Sequence, residues 1–291
     1  MKKIIVTGAG GQLGRAVNRE LGQTGEYEFY NVDVMAGENI KKADITDLEE
    51  MLRLVGEVKP CAIVNCAAYT AVDAQEADEE NAFRINAVGP RNLAIAAREY
   101  GARLLHISTD YVFPGDSGRP YTEFDPVGPK SVYGKTKLAG ERFVEQFADR
   151  FYIIRTAWLY GEGKNFVRTM LKLSEDHDEI SVVDDQFGNP TSAAELARAI
   201  RALLPTENYG LFHGTCEEIT NWAEFAGEIF SMTGKKTRVR PVSTGEYLNA
   251  HPQAAPRPAY SALENKMLKL TGSYTFAGWR DALKEYIGKM S

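Results

Sequence analysis

Residues 133–137 read YGKTK, which sets Tyr133 and Lys137 four positions apart. On a helix, that spacing puts both side chains on one face. A tyrosine titrates near 10 and is a reluctant proton donor or acceptor at neutral pH. A lysine cation beside it favours the phenolate and lowers that value. The pair therefore suits proton transfer at a substrate oxygen. Y-x-x-x-K is frequent by chance, so its meaning depends on what surrounds it. Upstream, HISTDYVF places Ser108, Thr109 and Asp110 directly after an apolar run. A hydroxyl there can stabilise charge that develops on a carbonyl oxygen. Thr109, as a catalytic partner of Tyr133, and Asp110 are read as facing substrate. Ser108 is read as satisfying loop backbone groups.

A second cluster lies at the start of the chain. TGAGGQLG spaces Gly8, Gly11 and Gly14 as G-x-x-G-x-x-G, after a β-branched run and at the head of a helical one. Such a turn lets backbone N–H groups and a helix N-terminus approach a pyrophosphate. The spacing departs from the commoner G-x-G-x-x-G, but the strand-turn-helix setting meets the condition that gives the motif its meaning. About 20 residues on, Asp33 can accept hydrogen bonds from an adenosine ribose and repel a 2′-phosphate, favouring NADH. Arg15, next to Gly14, can instead attract that phosphate. The reading is NADH or NADPH, with the preference open. Asp44 and Ile45 in ADITD can flank the adenine, or serve an ordinary helix N-cap. With a dinucleotide bound, Lys137 is also placed to hold the nicotinamide ribose.

The elements that must position these groups alternate. Strands are expected at residues 2–7, 27–32, 61–65, 103–107 and 151–155, and helices at 13–21, 48–57, 78–100 (kinked at Pro90) and 132–149. This rhythm implies an α/β fold, a doubly wound parallel (Rossmann) sheet with right-handed crossovers. After residue 157 it loosens, in stretches such as KKTRVRPV and HPQAAPRP. We therefore expect a dinucleotide-binding domain over 1–157. Residues 158–291 form mainly a smaller, interleaved substrate-binding lobe, with late elements returning to the first domain. The 44% hydrophobic and 25% charged content suits a self-sufficient globular core. A net charge of -6 argues against non-specific nucleic-acid binding. Cys61, Cys66 and Cys216 are odd in number and form no CxxC, as expected of reduced, buried thiols in the cytoplasm. The opening apolar run is too brief for a signal peptide, and no run suits a membrane span.

In order along the chain come TGAGGQLG, NCAAYTAVD, AFRINAVGPRNLA, HISTDYVFPG, VYGKTKLAGE, RTAWLYGEGKNFV and DQFGNPTS, with APRPAYSAL nearer the end. Together they resemble the dTDP-4-dehydrorhamnose reductase family, among the extended short-chain dehydrogenases/reductases. The resemblance implies that Gly11, Gln12 and Leu13 cradle the pyrophosphate and that Asp33, Asp44 and Ile45 contact the adenosine half. Ala68, Tyr69 and Thr70 line the nicotinamide side. Tyr133 is the general acid with Lys137 as partner, Thr109 and Asp110 touch the sugar, and Trp158 walls its pocket. Trp158 could equally be a core aromatic at a lobe junction. Val72 is a weaker substrate candidate, Asn86 a backbone organiser, and Arg257 either a diphosphate contact or a surface charge. His106, His177, His213 and His251 have no metal-ligand spacing. Some members carry a glutamate two residues after the third glycine that helps bind magnesium between subunits; here it is Ala16, which puts magnesium and a metal-bridged dimer in doubt and leaves monomer or homodimer. The implied reaction is reduction of a nucleotide-linked 4-keto sugar. A nucleotide-sugar epimerase or dehydratase, or a non-catalytic cofactor-binding subunit, are the alternatives.

Overall fold

The computed structural model describes residues 1–255 and 257–290; Pro256, within the APRP stretch, and Ser291 lie outside the described residues. Seven parallel strands form the central sheet: β1 (Lys2–Thr7), β2 (Tyr27–Asp33), β3 (Lys41–Lys42), β4 (Ala62–Asn65), β5 (Arg103–Thr109), β6 (Phe151–Thr156) and β7 (Gly210–His213). Their spatial order is β7-β6-β5-β4-β1-β2-β3. The order reverses between β1 and β4, and ligands of open parallel sheets bind at the strand C-termini beside such a reversal.

Alternation along β1 divides the core. Ile4 and Val6 face one layer and Ile5 the other. On the first side pack α1 (Gln12–Gly22), α5 (Ala193–Leu203), α6 (Trp222–Thr233) and α7 (Trp279–Gly288), through Val17, Leu196, Phe225 and Trp279. On the second pack α2 (Leu48–Val58), α3 (Gly89–Glu99) and α4 (Val132–Phe147), through Met51, Leu93 and Val144. β7 comes from beyond residue 157 and pairs with β6, Gly210 opposite Tyr152. Beyond residue 157 the chain also carries short ladders: Glu179–Val183 with Arg238–Val242, Phe187–Gly188 with Thr220–Asn221, and Leu159–Tyr160 with Thr191–Ser192.

Two local expectations need correction. The helix expected over 78–100 is irregular one turn before Pro90 rather than at it. Glu79–Phe83 is α-helical, Arg84–Val88 is a π-turn, and α3 carries Pro90 in its first turn. Proline has no N–H to give to the carbonyl four residues back, so the widening falls on the turn before it. The second concerns α2, whose N-cap is Asp47, with Oδ1 accepting from Glu50 N at 3.0 Å. Asp44 does not cap it; its Oδ1 accepts from Thr46 N at 2.9 Å. The thiols also differ in burial. Only Cys216 is buried outright, while Cys61 and Cys66 are half-buried and all three are free. Among the described residues no helix is long and apolar enough to cross a membrane.

Candidate active site

Two hollows meet over the C-terminal ends of β1, β4 and β5. One, about 410 Å³, is lined by Gly8, Asp33, Asp44, Ile45 and Tyr69. The other, about 550 Å³, is lined by Gln12, Leu13, Thr70, Val72, Thr109, Asp110, Tyr133, Lys137 and Trp158. Gly11, Cys66, Ala67 and Ala68 wall both, so the two form one trench. The fold thus gathers nearly every candidate named above. Gly14 lines neither hollow, and nor do Arg15 and Arg257. A Cβ on Gly14 would lie 2.3 Å from the Gly8 carbonyl oxygen, so the bareness of Gly14 serves the packing of α1 on the turn.

The glycine turn has the form of an anion cradle. Gly8 takes φ +64°, and a Cβ on it would lie 2.6 Å from the backbone nitrogen of Ala67. Gly11 is the N-cap of α1 and offers no side chain, so the first N–H groups of the helix face the trench uncapped. A helix N-terminus in this state attracts an anionic group. Beside it, Asp33 Oδ2 accepts from Gly10 N at 3.1 Å and Arg15 Nε donates to Gly10 O at 2.9 Å. Carboxylate and guanidinium thus hold opposite ends of one residue. The chain's own residues therefore fit a dinucleotide: bare helix N–H groups for its pyrophosphate, and the Asp33 hollow for its adenosine.

The wall beyond is organised by Asn86. Its Oδ1 accepts from Tyr69 N at 2.9 Å, and its Nδ2 donates to Tyr69 O at 3.0 Å and to Thr136 Oγ1 at 3.2 Å. A buried amide satisfied on several sides holds residues 68–70 against α4, which is the organising role read from the sequence.

Tyr133 and Lys137 stand one turn apart on α4. The helix is started by Ser131, whose Oγ accepts from Gly134 N at 3.1 Å. Tyr133 faces the same hollow as Thr109 and packs edge-on against Tyr111, ring centroids 5.5 Å apart. Thr109 Oγ1 donates to Asp110 Oδ1 at 2.9 Å. Lys137 is buried and its Nζ donates to the Ile107 carbonyl at 2.6 Å. Burial pushes the Tyr133 phenol up to about 12, opposed by Thr109 and reinforced by the Asp110 charge. Lys137, whose ammonium donates to a backbone carbonyl, is not among the groups that shift the phenol, and its own value is brought down by burial to about 8. Burial raises Asp110 to about 6, opposed by the neighbouring hydroxyls of Ser261 and Thr109.

Other candidates also change standing. Ser108 Oγ is buried, lines the trench and has no hydrogen-bond partner among the described residues, so it does not serve loop backbone. Thr156 Oγ1 is in the same condition. Arg257 forms a two-point ion pair with Asp73, both N–O distances 3.0 Å, outside the trench. Asp73 is held below its ordinary value chiefly by its hydrogen bonds with Arg257. Trp158 does line the trench, and so do Lys164, Asn165 and Trp222, which the sequence reading missed. Lys164 sits in GEGKN within a motif already singled out. Trp222 carries no such signal, since only the folded chain brings ITNWAEF to the trench.

Comparison with known proteins agrees with this geometry. The RmlD substrate binding domain family matches residues 1–291. A dTDP-4-dehydrorhamnose reductase of Streptomyces griseus is 44% identical, over 97% of this chain and 91% of its own. The crystal structure of a dTDP-4-dehydrorhamnose reductase from Clostridium acetobutylicum is 47% identical, covers 99% of both chains and superposes with a TM-score of 0.94. That of a dTDP-4-dehydrorhamnose reductase from Bacillus anthracis, in complex with NADP, is 41% identical and superposes with a TM-score of 0.92, covering 99% of this chain and 100% of its own.

Proposed function

The chain belongs to the RmlD substrate binding domain family, and on that premise we propose that it reduces dTDP-4-dehydro-L-rhamnose to dTDP-L-rhamnose with NAD(P)H, a step in supplying nucleotide sugars for surface polysaccharide. The observation that carries this reading is the meeting of a glycine cradle, the Tyr133–Thr109 pair and an indole-walled hollow in one trench. We assign residues 1–157 mainly to the cofactor and 158–291 mainly to the sugar nucleotide. Three free thiols accord with a cytoplasmic setting.

Gly11, Gln12 and Leu13 hold the pyrophosphate, Asp33, Asp44 and Ile45 the adenosine, and Ala68, Tyr69, Thr70 and Lys137 the nicotinamide half. When bound, the dinucleotide supplies hydride to C4 of the sugar. Tyr133 gives its proton to the oxygen on that carbon, so the carbonyl gains a hydride and a proton in one event. A phenol held near 12 remains protonated at neutral pH and is ready to donate. Thr109 orients the phenol, and Asp110 fixes the Thr109 hydroxyl at 2.9 Å.

The direct assay mixes protein, NADH or NADPH, and dTDP-4-dehydro-L-rhamnose made in situ. We expect one dTDP-L-rhamnose per cofactor oxidised. Isomerisation of the sugar without net cofactor loss would identify an epimerase instead. Cofactor binding without any reaction would indicate a non-catalytic subunit.

Asp33 decides between cofactors in this reading. Asp33→Ala removes a charged acceptor for the ribose and a repulsion toward a 2′-phosphate. The kcat/KM ratio of NADPH over NADH should rise by about tenfold, the scale of one lost charge-assisted hydrogen bond. An unchanged ratio would place the ribose away from Asp33.

A further inference from the structure

Trp158 has a left-handed backbone, φ +46°, and is the only aromatic among the described residues to do so. In this region the Cβ of an L-residue crowds its own carbonyl, and a bulky side chain stays there only when its surroundings hold it. Three contacts do so. The Trp158 carbonyl accepts from Thr191 N at 3.2 Å. Its indole lies flat on that of Trp222, ring centroids 3.6 Å apart and planes within 9°. Against its Nε1, Cε2 and Cζ2 atoms comes the backbone of Gly188, where any Cβ would stand 2.6–2.8 Å away.

One small ladder places both partners. Thr220 pairs with Gly188 and Asn221 with Phe187 in antiparallel register. Asn221 then caps α6, its Oδ1 accepting from Glu224 N at 2.8 Å, so Trp222 is the first residue of a fixed helix. Both indoles are half-buried and both line the hollow that holds Tyr133 and Thr109. A pair serving the core alone would have no reason to end at that hollow or to keep a strained backbone.

We propose that Trp222 is a positioning residue for the nucleotide sugar. It holds Trp158 in the strained orientation that walls the sugar hollow, with Gly188 kept bare to admit the indole. This rests on the reading of the trench as a sugar-nucleotide reductase site. Without Trp222, Trp158 relaxes to an ordinary backbone conformation and the wall is lost, while the cofactor cradle and the Tyr133–Thr109 pair, built on other elements, are untouched.

The test uses Trp222→Leu, Trp222→Phe and Gly188→Ala in the full chain. Stacked indoles couple excitonically, so near-ultraviolet circular dichroism reports the stack itself; the coupling should vanish in Trp222→Leu and in a Trp158→Phe reference. Calorimetric titration gives affinity for dTDP-L-rhamnose, and NADPH fluorescence gives cofactor affinity. We expect Trp222→Leu and Gly188→Ala to weaken dTDP-L-rhamnose binding and raise KM by about tenfold, the scale of one lost aromatic contact. Cofactor affinity and kcat should stay within about threefold of the parent, and Trp222→Phe should recover most of the sugar affinity through its own ring. Loss of the coupling with unchanged sugar affinity would overturn the proposal, as would a parallel loss of cofactor affinity and kcat. Failure of the underlying reading appears separately, as an unmodified protein that binds NADPH but not dTDP-L-rhamnose, and it would remove this proposal too.

Discussion

Replacing Tyr133 with phenylalanine should lower kcat by about 10²–10⁴-fold, the usual contribution of a positioned general acid. NADPH affinity should hardly change. The substitution removes one oxygen and leaves the ring, so the edge-on packing with Tyr111 at 5.5 Å survives. What disappears is the proton and the hydroxyl that faces Thr109 across the hollow. Turnover within a few-fold of the parent would show that another group protonates the sugar oxygen. The pH profile of the parent supplies an independent check. Lys137, brought down by burial to about 8, is an ammonium below that pH and is lost as pH rises through it. Asp110, raised by burial to about 6, is a carboxylate above that pH and becomes protonated as pH falls through it. Tyr133 stays protonated across this whole interval. The free-enzyme profile of kcat/KM should therefore be bell-shaped, with limbs near 6 and 8. The alkaline limb should persist in the residual activity of Tyr133→Phe, because it belongs to Lys137. A limb that moves with the tyrosine substitution would reassign it.

Gly8→Ala should abolish measurable cofactor binding and destabilise the fold by about 3 kcal/mol or more, the range of a backbone clash added to a special-conformation penalty. Two effects combine. The backbone at φ +64° disfavours any Cβ, at roughly 1–2 kcal/mol. The new carbon would also lie 2.6–2.7 Å from the nitrogen and Cα of Ala67, backbone two residues beyond the end of β4 and held there by the Asn65 Oδ1 that accepts from Ala67 N at 3.2 Å. Relief requires β1 and the 66–68 segment to part, and that segment walls both hollows. Gly25→Ala separates the two effects. Gly25 has nearly the same backbone angle, φ +66°, with nothing within 4 Å of an added Cβ. It should lose only the conformational share and keep full NADPH affinity. Urea denaturation midpoints and fluorescence titration of both variants decide the matter. Equal losses would mean that the close approach to Ala67 is unimportant.

The sheet was legible in the sequence where a strand is long and buried. Residues 2–7, 61–65, 103–107 and 151–155 announce themselves as apolar runs because a parallel strand covered on both faces must be apolar throughout. β3 and β7 were missed as individual strands. The first is two exposed lysines, and the second ends on a histidine, His213, that is fully buried. Neither has a pattern of its own, and each is a strand only because a neighbour offers it a ladder.

The site divides along the same line. Local spacing suffices for Tyr133 with Lys137, since one helical turn joins them, and for Gly8, Gly11 and Gly14, since one turn of chain holds them. It also suffices to recognise the family, whose motifs lie in order along the chain. Orientation is another matter. Spacing put Lys137 beside Tyr133, but the Ile107 carbonyl, 30 residues away in sequence, takes its ammonium. Spacing left Ser108 to the loop, but the strand turns its hydroxyl into the trench. The stack of Trp158 on Trp222, 64 positions apart, has no trace in the sequence. Periodicity and short motifs reflect forces acting within a few residues. The direction of a buried hydrogen bond or the seating of an indole is settled by whichever distant group the packed fold brings within about 4 Å, and only the tertiary structure decides which group that is.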